Sequence, residues 1–413
     1  MSPNDSGAAA APPPFLPLAG IRVIDTSKVL AGPLCGQYLG DLGADVIKVE
    51  MAGTGDDTRT WPPYLDGDSA VFLSINRCKR SIAIDLKTES GRDVLRRLVA
   101  GADVFLESYR KGVMDRLGFG VTELRSRNPR LVYCSISGFG RTGPLSDLPG
   151  YDAMVQAFSG IMSITGEKGG GPVRSAFSPL DQTTGIWAAL GIIAALRERD
   201  TTGVGRALEV SLFETAMGFL GYTAQTFWTT GRVPEPCGSG HESLCPYQAF
   251  KAADGHIFIA VGNDKLWRVF CEVAGLQDIV DDPRFVTNAA RASRLDETVA
   301  RVGAKVITQP VAWWAEALTR VGIPNSPINR LDQVLALQHQ VDRNIVLDYQ
   351  NPRHGAMRTM AIPLSVDGLT RTVRRPPPAL GEHTVEILRE LGEDAAGIEA
   401  LVQSGAVQAK QGG

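Results

Sequence analysis

Between positions 21 and 137 short runs of β-branched residues alternate with stretches of helical period. Segments 21–25, 44–50, 81–86, 102–107 and 131–137 are dominated by Val, Ile and Leu and read as strands. Segments 36–42 and 89–99 repeat apolar residues at helical spacing and read as helices. Strands that alternate with helices need crossover connections, so a Rossmann-like, doubly wound, mostly parallel α/β sheet is predicted. The rhythm continues with a helix over 186–197 and a strand over 207–211 that runs into another helix.

A polar, Gly/Pro-rich stretch over 231–246 marks a boundary. Beyond it, a strand over 256–261, a helix over 265–274 and helices between 297 and 320 predict a separate block. From 325 the chain reads as loop-rich, recovering at 361–364 and in a last helix over 383–391. Residues 1–17 open with Ser, Ala and Pro and no basic run, which predicts a disordered tail and neither a signal peptide nor an anchor.

Composition narrows the functional classes. A net charge of −3 leaves any anionic ligand to local basic residues and gives no support to a nucleic-acid surface. No run reaches the roughly 18 uncharged apolar residues of a membrane span. Six cysteines without a close CxxC pair fit reduced thiols in a cytoplasmic protein.

Asp181 is the candidate that organises the rest. It lies in the segment SPLDQTTG at 178–185, ahead of an apolar run, and so stands at the mouth of a helix. One reading makes it an N-cap, its carboxylate accepting an N–H of the first turn. The other makes it a nucleophile, kept ionised at neutral pH by the helix terminus, that attacks a thioester and carries the acyl group as a mixed anhydride. The local pattern fits both.

Competing chemistry is scarce. His241, His256, His339, His354 and His383 show neither HxxxH nor HExxH spacing, so no metal site is expected. No GxSxG occurs, and the first strand is followed by TSKVLAGP instead of GxGxxG, which argues against a nicotinamide or flavin cofactor. His241 and Cys245 lie four apart but in a loop without helical period. Lys79, Arg80, Lys87, Arg110, Lys111 and Arg116 follow early strands, where open α/β sheets bind ligands, and are candidate phosphate-binding cations. The loop 237–245 reads as a mobile lid or as a linker.

Six ordered motifs, VLAGP at 29–33, LGADVIKVE at 42–50, KRSIAIDLK at 79–87, NPRLVYCSISGFG at 128–140, PGYD at 149–152 and GEHT at 381–384, resemble the class III CoA-transferase family. The likeness runs from about 18 to 391. It implies a CoA-transferase in which Asp181 attacks an acyl-CoA, forming an aspartyl anhydride and then an aspartyl-CoA thioester. Coenzyme A is then a substrate, with no permanently bound cofactor. The resemblance places CoA against Val29, Leu30, Ala31, Ile84, Lys87, Ser108, Tyr109, Arg116 and Tyr151. It makes Gly238, Ser239 and Gly240 a candidate lid.

It also implies an interlocked homodimer, with a large domain built from 18–225 and 328–413 and a small inserted α+β domain over 232–327. A dicarboxylate such as succinate is the expected acid on one side, with Arg174 as an available cation. The α-methylacyl-CoA racemases of the same family are the alternative. Their histidine base corresponds to Tyr151, and a phenol, with a free pKa of about 10, is a weak substitute base. A catalytically idle CoA-binding relative is the third reading.

Overall fold

The computed structural model describes residues 14–410. Residues 1–13 of the expected tail lie outside the described residues. Seven strands join in one sheet: β1 (Arg22–Asp25), β2 (Asp45–Met51), β3 (Lys79–Ile84), β4 (Val104–Glu107), β5 (Val132–Ser137), β6 (Ala207–Ser211) and β7 (Val407–Gln408). Their order is β7-β3-β2-β1-β4-β5-β6; the first six strands are mutually parallel, and β7 runs antiparallel to β3.

The two-residue period of each strand sorts its side chains into two cores. Ile24, Ile47, Phe105 and Tyr133 pack on one face, with Val94, Leu95 and Leu98 of helix Glu89–Ala100. Val23, Val46, Val104 and Val132 pack on the other, with α1 (Ala31–Asp41) and the long helix α3, introduced below. The helical crossovers between the parallel strands cover both faces, and this burial is why those strands read as continuous apolar runs. The chain leaves β1 toward β2 on one side and returns as β4 on the other. That places a topological switch point beyond the carboxyl end of β1, the usual ligand crevice of such sheets.

Helix α1 begins five residues before the predicted 36–42. Pro33 sits in its first turn, where a missing N–H costs nothing, so the Gly/Pro-rich opening belongs to the helix and not to a loop. Two further helices matter for the site: α2 (Asp152–Phe158) and α3 (Pro179–Thr202). α3 starts seven residues ahead of the predicted 186–197 because Pro179 occupies its first position.

Of the described chain, 14–159, 175–221 and 339–410 form one compact unit, and 160–174 with 222–338 form a second. The second unit thus also takes in 160–174, 222–225 and 328–338, which the sequence reading gave to the large domain. It carries a three-stranded antiparallel sheet of Tyr247–Lys251, His256–Ala260 and Asn325–Pro327, around a core of Trp267, Phe270, Phe285 and Trp314. In the first unit an antiparallel hairpin, Val346–Asn351 with Gly355–Met360, occupies part of the stretch read as loop. Residues 361–364 carry no strand.

Candidate active site

Asp181 is the third residue of α3, not its cap. Ser178 holds the N-cap position in a left-handed conformation, φ 52°, and makes no side-chain capping bond. The Asp181 carboxylate is half-buried and, among the described residues, has no hydrogen-bond or ion-pair partner. Burial, and after it the negative charge of Asp152, push its pKa from 3.8 to about 7. The expectation of a carboxylate held ionised by the helix terminus is therefore corrected: the group titrates near neutrality.

Burial is the larger cause, and the second is Asp152, the first residue of α2. Its Oδ2 accepts the main-chain N–H of Leu180 at 2.8 Å and of Asp181 at 3.0 Å. Four N–H groups at a helix start lack partners within the helix, and Asp152 takes two of them. The groups that would have favoured a charge on Asp181 are thus spent on its neighbour. Asp152 Oδ1 accepts the side-chain N–H of Gln156, and Gln156 Oε1 accepts Ser175 N–H at 3.0 Å, so one staple holds the approach to α3 as well. Phe158 at the far end of α2 packs against Phe139 and Phe213 at ring distances of 5.1 and 5.7 Å. Sequence reasoning had flagged Asp152 only as part of a motif. Its signal was an acid ahead of a short apolar repeat, with nothing to indicate a partner 29 residues away.

α3 passes very close to α1. A Cβ on Gly185 would sit 2.6 Å from the carbonyl oxygen of Ala31, so only glycine allows this approach. The nucleophile candidate thus lies one turn before the point where α3 crosses the segment leading from β1 into α1.

That segment is strained. Val29 has φ 70°, a left-handed conformation that costs a β-branched residue about 1–3 kcal/mol. Beneath it lie two ion pairs whose side chains are wholly buried: Lys48–Asp56 at 2.8 Å and Lys79–Asp25 at 3.0 Å. Lys79 and Arg80 are accordingly not phosphate-binding cations. Lys79 is committed to Asp25, and burial brings its pKa down to about 8. Arg80 is buried among Asp45, Glu386 and Glu390.

Residues 18–384 match the model of CoA-transferase family III. The chain belongs to this family. It is 37% identical over 394 residues to succinyl-CoA:glutarate CoA-transferase of Mus musculus, covering 95% of this chain and 90% of that one. It is 38% identical to succinate–glutarate CoA-transferase of Agrobacterium fabrum, covering 91% and 96%. A crystal structure of a CAIB/BAIF family protein from Brucella suis superposes with a TM-score of 0.82 at 36% identity, covering 92% of this chain and all of the other. These likenesses make it a CoA-transferase and do not favour the racemase alternative.

In this transferase the expected CoA contacts Val29, Leu30, Ala31, Ile84, Lys87, Ser108 and Tyr109 lie at or just beyond the carboxyl ends of β1, β3 and β4, while Arg116 and Tyr151 lie further along the chain. Lys28 N–H donates to Ser108 Oγ at 2.9 Å, and Lys28 Nζ lies 5.8 Å from the Tyr109 ring centre, so 28–31 and 108–109 are adjacent. Burial pushes the Tyr109 phenol up to about 12. Ala31 and Ile84 are buried in the two cores, so their side chains serve packing. Lys87 and Arg116 are exposed and have no ion pair among the described residues. Tyr151 is exposed at the N-cap of α2.

Within the second unit, Gly238 is left-handed at φ 65° and donates its N–H to Gly166 at 2.8 Å. Ser239 Oγ accepts Ala249 N–H at 3.1 Å, and Gly240 N–H bonds to Cys237. The loop borders a cavity of about 150 Å³ with Tyr222, Thr226 and His241. His241 Nδ1 accepts Ser243 N–H, while Cys245 is buried with its thiol pushed up to about 11 by burial. No hydrogen bond joins the Cys245 thiol to the His241 imidazole among the described residues, so the two do not form a thiol–imidazole pair here. Among the described residues there is no cluster of three metal-ligating side chains and no helix long and apolar enough to cross a membrane.

Proposed function

We propose that this transferase moves CoA between an acyl-CoA and a free carboxylic acid with Asp181 as covalent carrier. The Asp181 carboxylate attacks the thioester carbonyl; the C–S bond breaks, CoA leaves as thiolate and a mixed anhydride remains. The thiolate then attacks the aspartyl carbon of the anhydride, releasing the donor acid and forming an aspartyl-CoA thioester. The acceptor carboxylate attacks that thioester, and the freed thiolate attacks the acceptor acyl carbon. Acyl-CoA departs and Asp181 is regenerated, with no net change in protons.

The observation that carries this reading is a half-buried carboxylate without a partner, at a helix start whose N–H groups another residue holds. A half-buried nucleophile with a pKa near 7 is more basic than an ordinary aspartate and is still half ionised at neutrality. Val29, Leu30, Ala31, Ser108 and Tyr109 would line the CoA path, with Lys87 and Arg116 toward its phosphates. Gly238 to Gly240 would act as a lid. A dicarboxylate such as succinate is the proposed acid on one side, in keeping with the names of the relatives. The proposal includes an interlocked homodimer in the cytoplasm, to which exposed Ile186, Trp187 and Leu190 on α3 lend support.

Incubation with succinyl-CoA, trapping with hydroxylamine or borohydride, and peptide mass analysis test the reading. A modified Asp181 is expected. Full exchange of CoA between acids by Asp181→Ala would overturn it.

A further inference from the structure

The two buried ion pairs are tied to main-chain atoms on both sides of the strained residue. Asp56 Oδ1 accepts Val29 N–H at 3.3 Å, while Oδ2 holds Lys48 Nζ, which also donates to the carbonyl of Ser27 at 3.1 Å. Asp25 Oδ1 accepts Ser27 N–H at 3.0 Å and its Oδ2 holds Lys79 Nζ, which donates to the carbonyl of Pro33 at 2.7 Å and to Asn76 Oδ1 at 2.8 Å. Residues 27, 29 and 33 are thereby fixed by four charges whose side chains are wholly buried.

Buried ion pairs of this kind are a poor source of stability, since apolar side chains of equal volume serve as well or better. What they supply is direction: an acceptor aimed at one N–H and a donor aimed at one carbonyl. A left-handed valine persists only where its surroundings over-determine it. Here the surroundings are these charges, together with Asp56's acceptance of Thr58 N–H and Oγ1. Burial works against the charge on Asp56, yet Lys48 holds its carboxyl below the usual range, so the brace stays charged at neutral pH.

We propose that Lys48 and Asp56 are positioning residues that lock Val29 in its left-handed conformation and so set the geometry with which 29–31 meet acyl-CoA. The proposal rests on the reading that 29–31 face CoA.

Two double variants separate the brace from mere charge. Lys48→Met with Asp56→Asn removes both charges but keeps an acceptor for Val29 N–H. Lys48→Met with Asp56→Leu removes the acceptor as well. Amide hydrogen exchange over 27–33 without ligand, and KM for succinyl-CoA against KM for the acceptor acid, are compared at matched melting temperature. We expect exchange at least tenfold faster, and KM for succinyl-CoA about tenfold higher, in the leucine variant than in the asparagine one, with the acceptor KM unchanged. Equal exchange in the two variants would overturn the brace.

Faster exchange with unchanged KM, and no protection of 27–33 by added coenzyme A in the parent, would instead overturn the CoA-contact reading while leaving the brace. Should the leucine variant not fold, Asp56→Ala against Asp56→Asn gives the same contrast.

Discussion

Asp152 holds the N–H of Asp181 while its charge presses on the Asp181 carboxyl. One residue therefore both fixes the start of α3 and sets the proton affinity of the side chain three positions into it. Replacing Asp152 separates the two roles. Asp152→Ala should leave two N–H groups without their acceptor, at about 1–3 kcal/mol each if water cannot replace it, and lower kcat about a hundredfold. Asp152→Asn keeps an acceptor but removes the charge, so the acid limb of the kcat/KM profile should move below pH 7. An unmoved limb in a folded variant would show that burial alone sets the Asp181 pKa.

Asp181 itself should give kcat/KM that rises tenfold per pH unit below about 7 and levels above it. Its stability effect has the opposite sign to an ordinary paired carboxylate. Because the folded pKa is raised from 3.8 to about 7, the native state keeps a proton that the unfolded chain releases, and stability falls as pH rises through that window. Asp181→Asn should therefore be more stable than the parent at pH 8, by on the order of 2 kcal/mol once solvent screening of a half-buried group is allowed for, and lose that advantage below about pH 4. Calorimetry at the two pH values checks it.

Gly185→Ala should loosen the crossing of α1 and α3. The new methyl would sit 2.6 Å from the Ala31 carbonyl oxygen, an overlap with rigid main chain costing about 1–3 kcal/mol. The better helix propensity of alanine returns about 1 kcal/mol at most. A lower melting temperature together with a raised KM for acyl-CoA is expected, since the crossing adjoins the segment 29–31.

Lys79→Met leaves Asp25 buried and uncompensated and should destabilise by about 3–5 kcal/mol. Adding Asp25→Leu should restore most of the loss. Urea unfolding of the two variants side by side measures the difference.

Lys87→Ala and Arg116→Ala should each raise KM for acyl-CoA several-fold with little change in kcat. Rising salt should weaken the parent more than the variants, because both cations are solvent-exposed. Initial rates at two ionic strengths test this.

The strand pattern was legible because β1 to β5 are buried on both faces, which concentrates Val and Ile in short runs. The openings of α1 and α3 were not. Apolar spacing begins only after Pro33 and Pro179, yet each proline sits in a first turn, where it removes no intrahelical bond. Asp181 stood out as a candidate from its place before an apolar run, whereas its raised pKa did not, since that depends on burial in the fold and then on Asp152 across 29 residues. Lys79 and Arg80 read as candidate phosphate-binding cations because their place along the chain says nothing about carboxylates brought in from 25, 45, 386 and 390.

The pairing of β3 with β7 ties residues 83–84 to 407–408. During synthesis, the outer edge of β3 must wait, with its N–H and carbonyl groups unmet, until residues 407–408 have emerged. Shortening the chain before position 407 would leave that edge open for another molecule's strand, so such products should clump although every residue of the candidate site is still present.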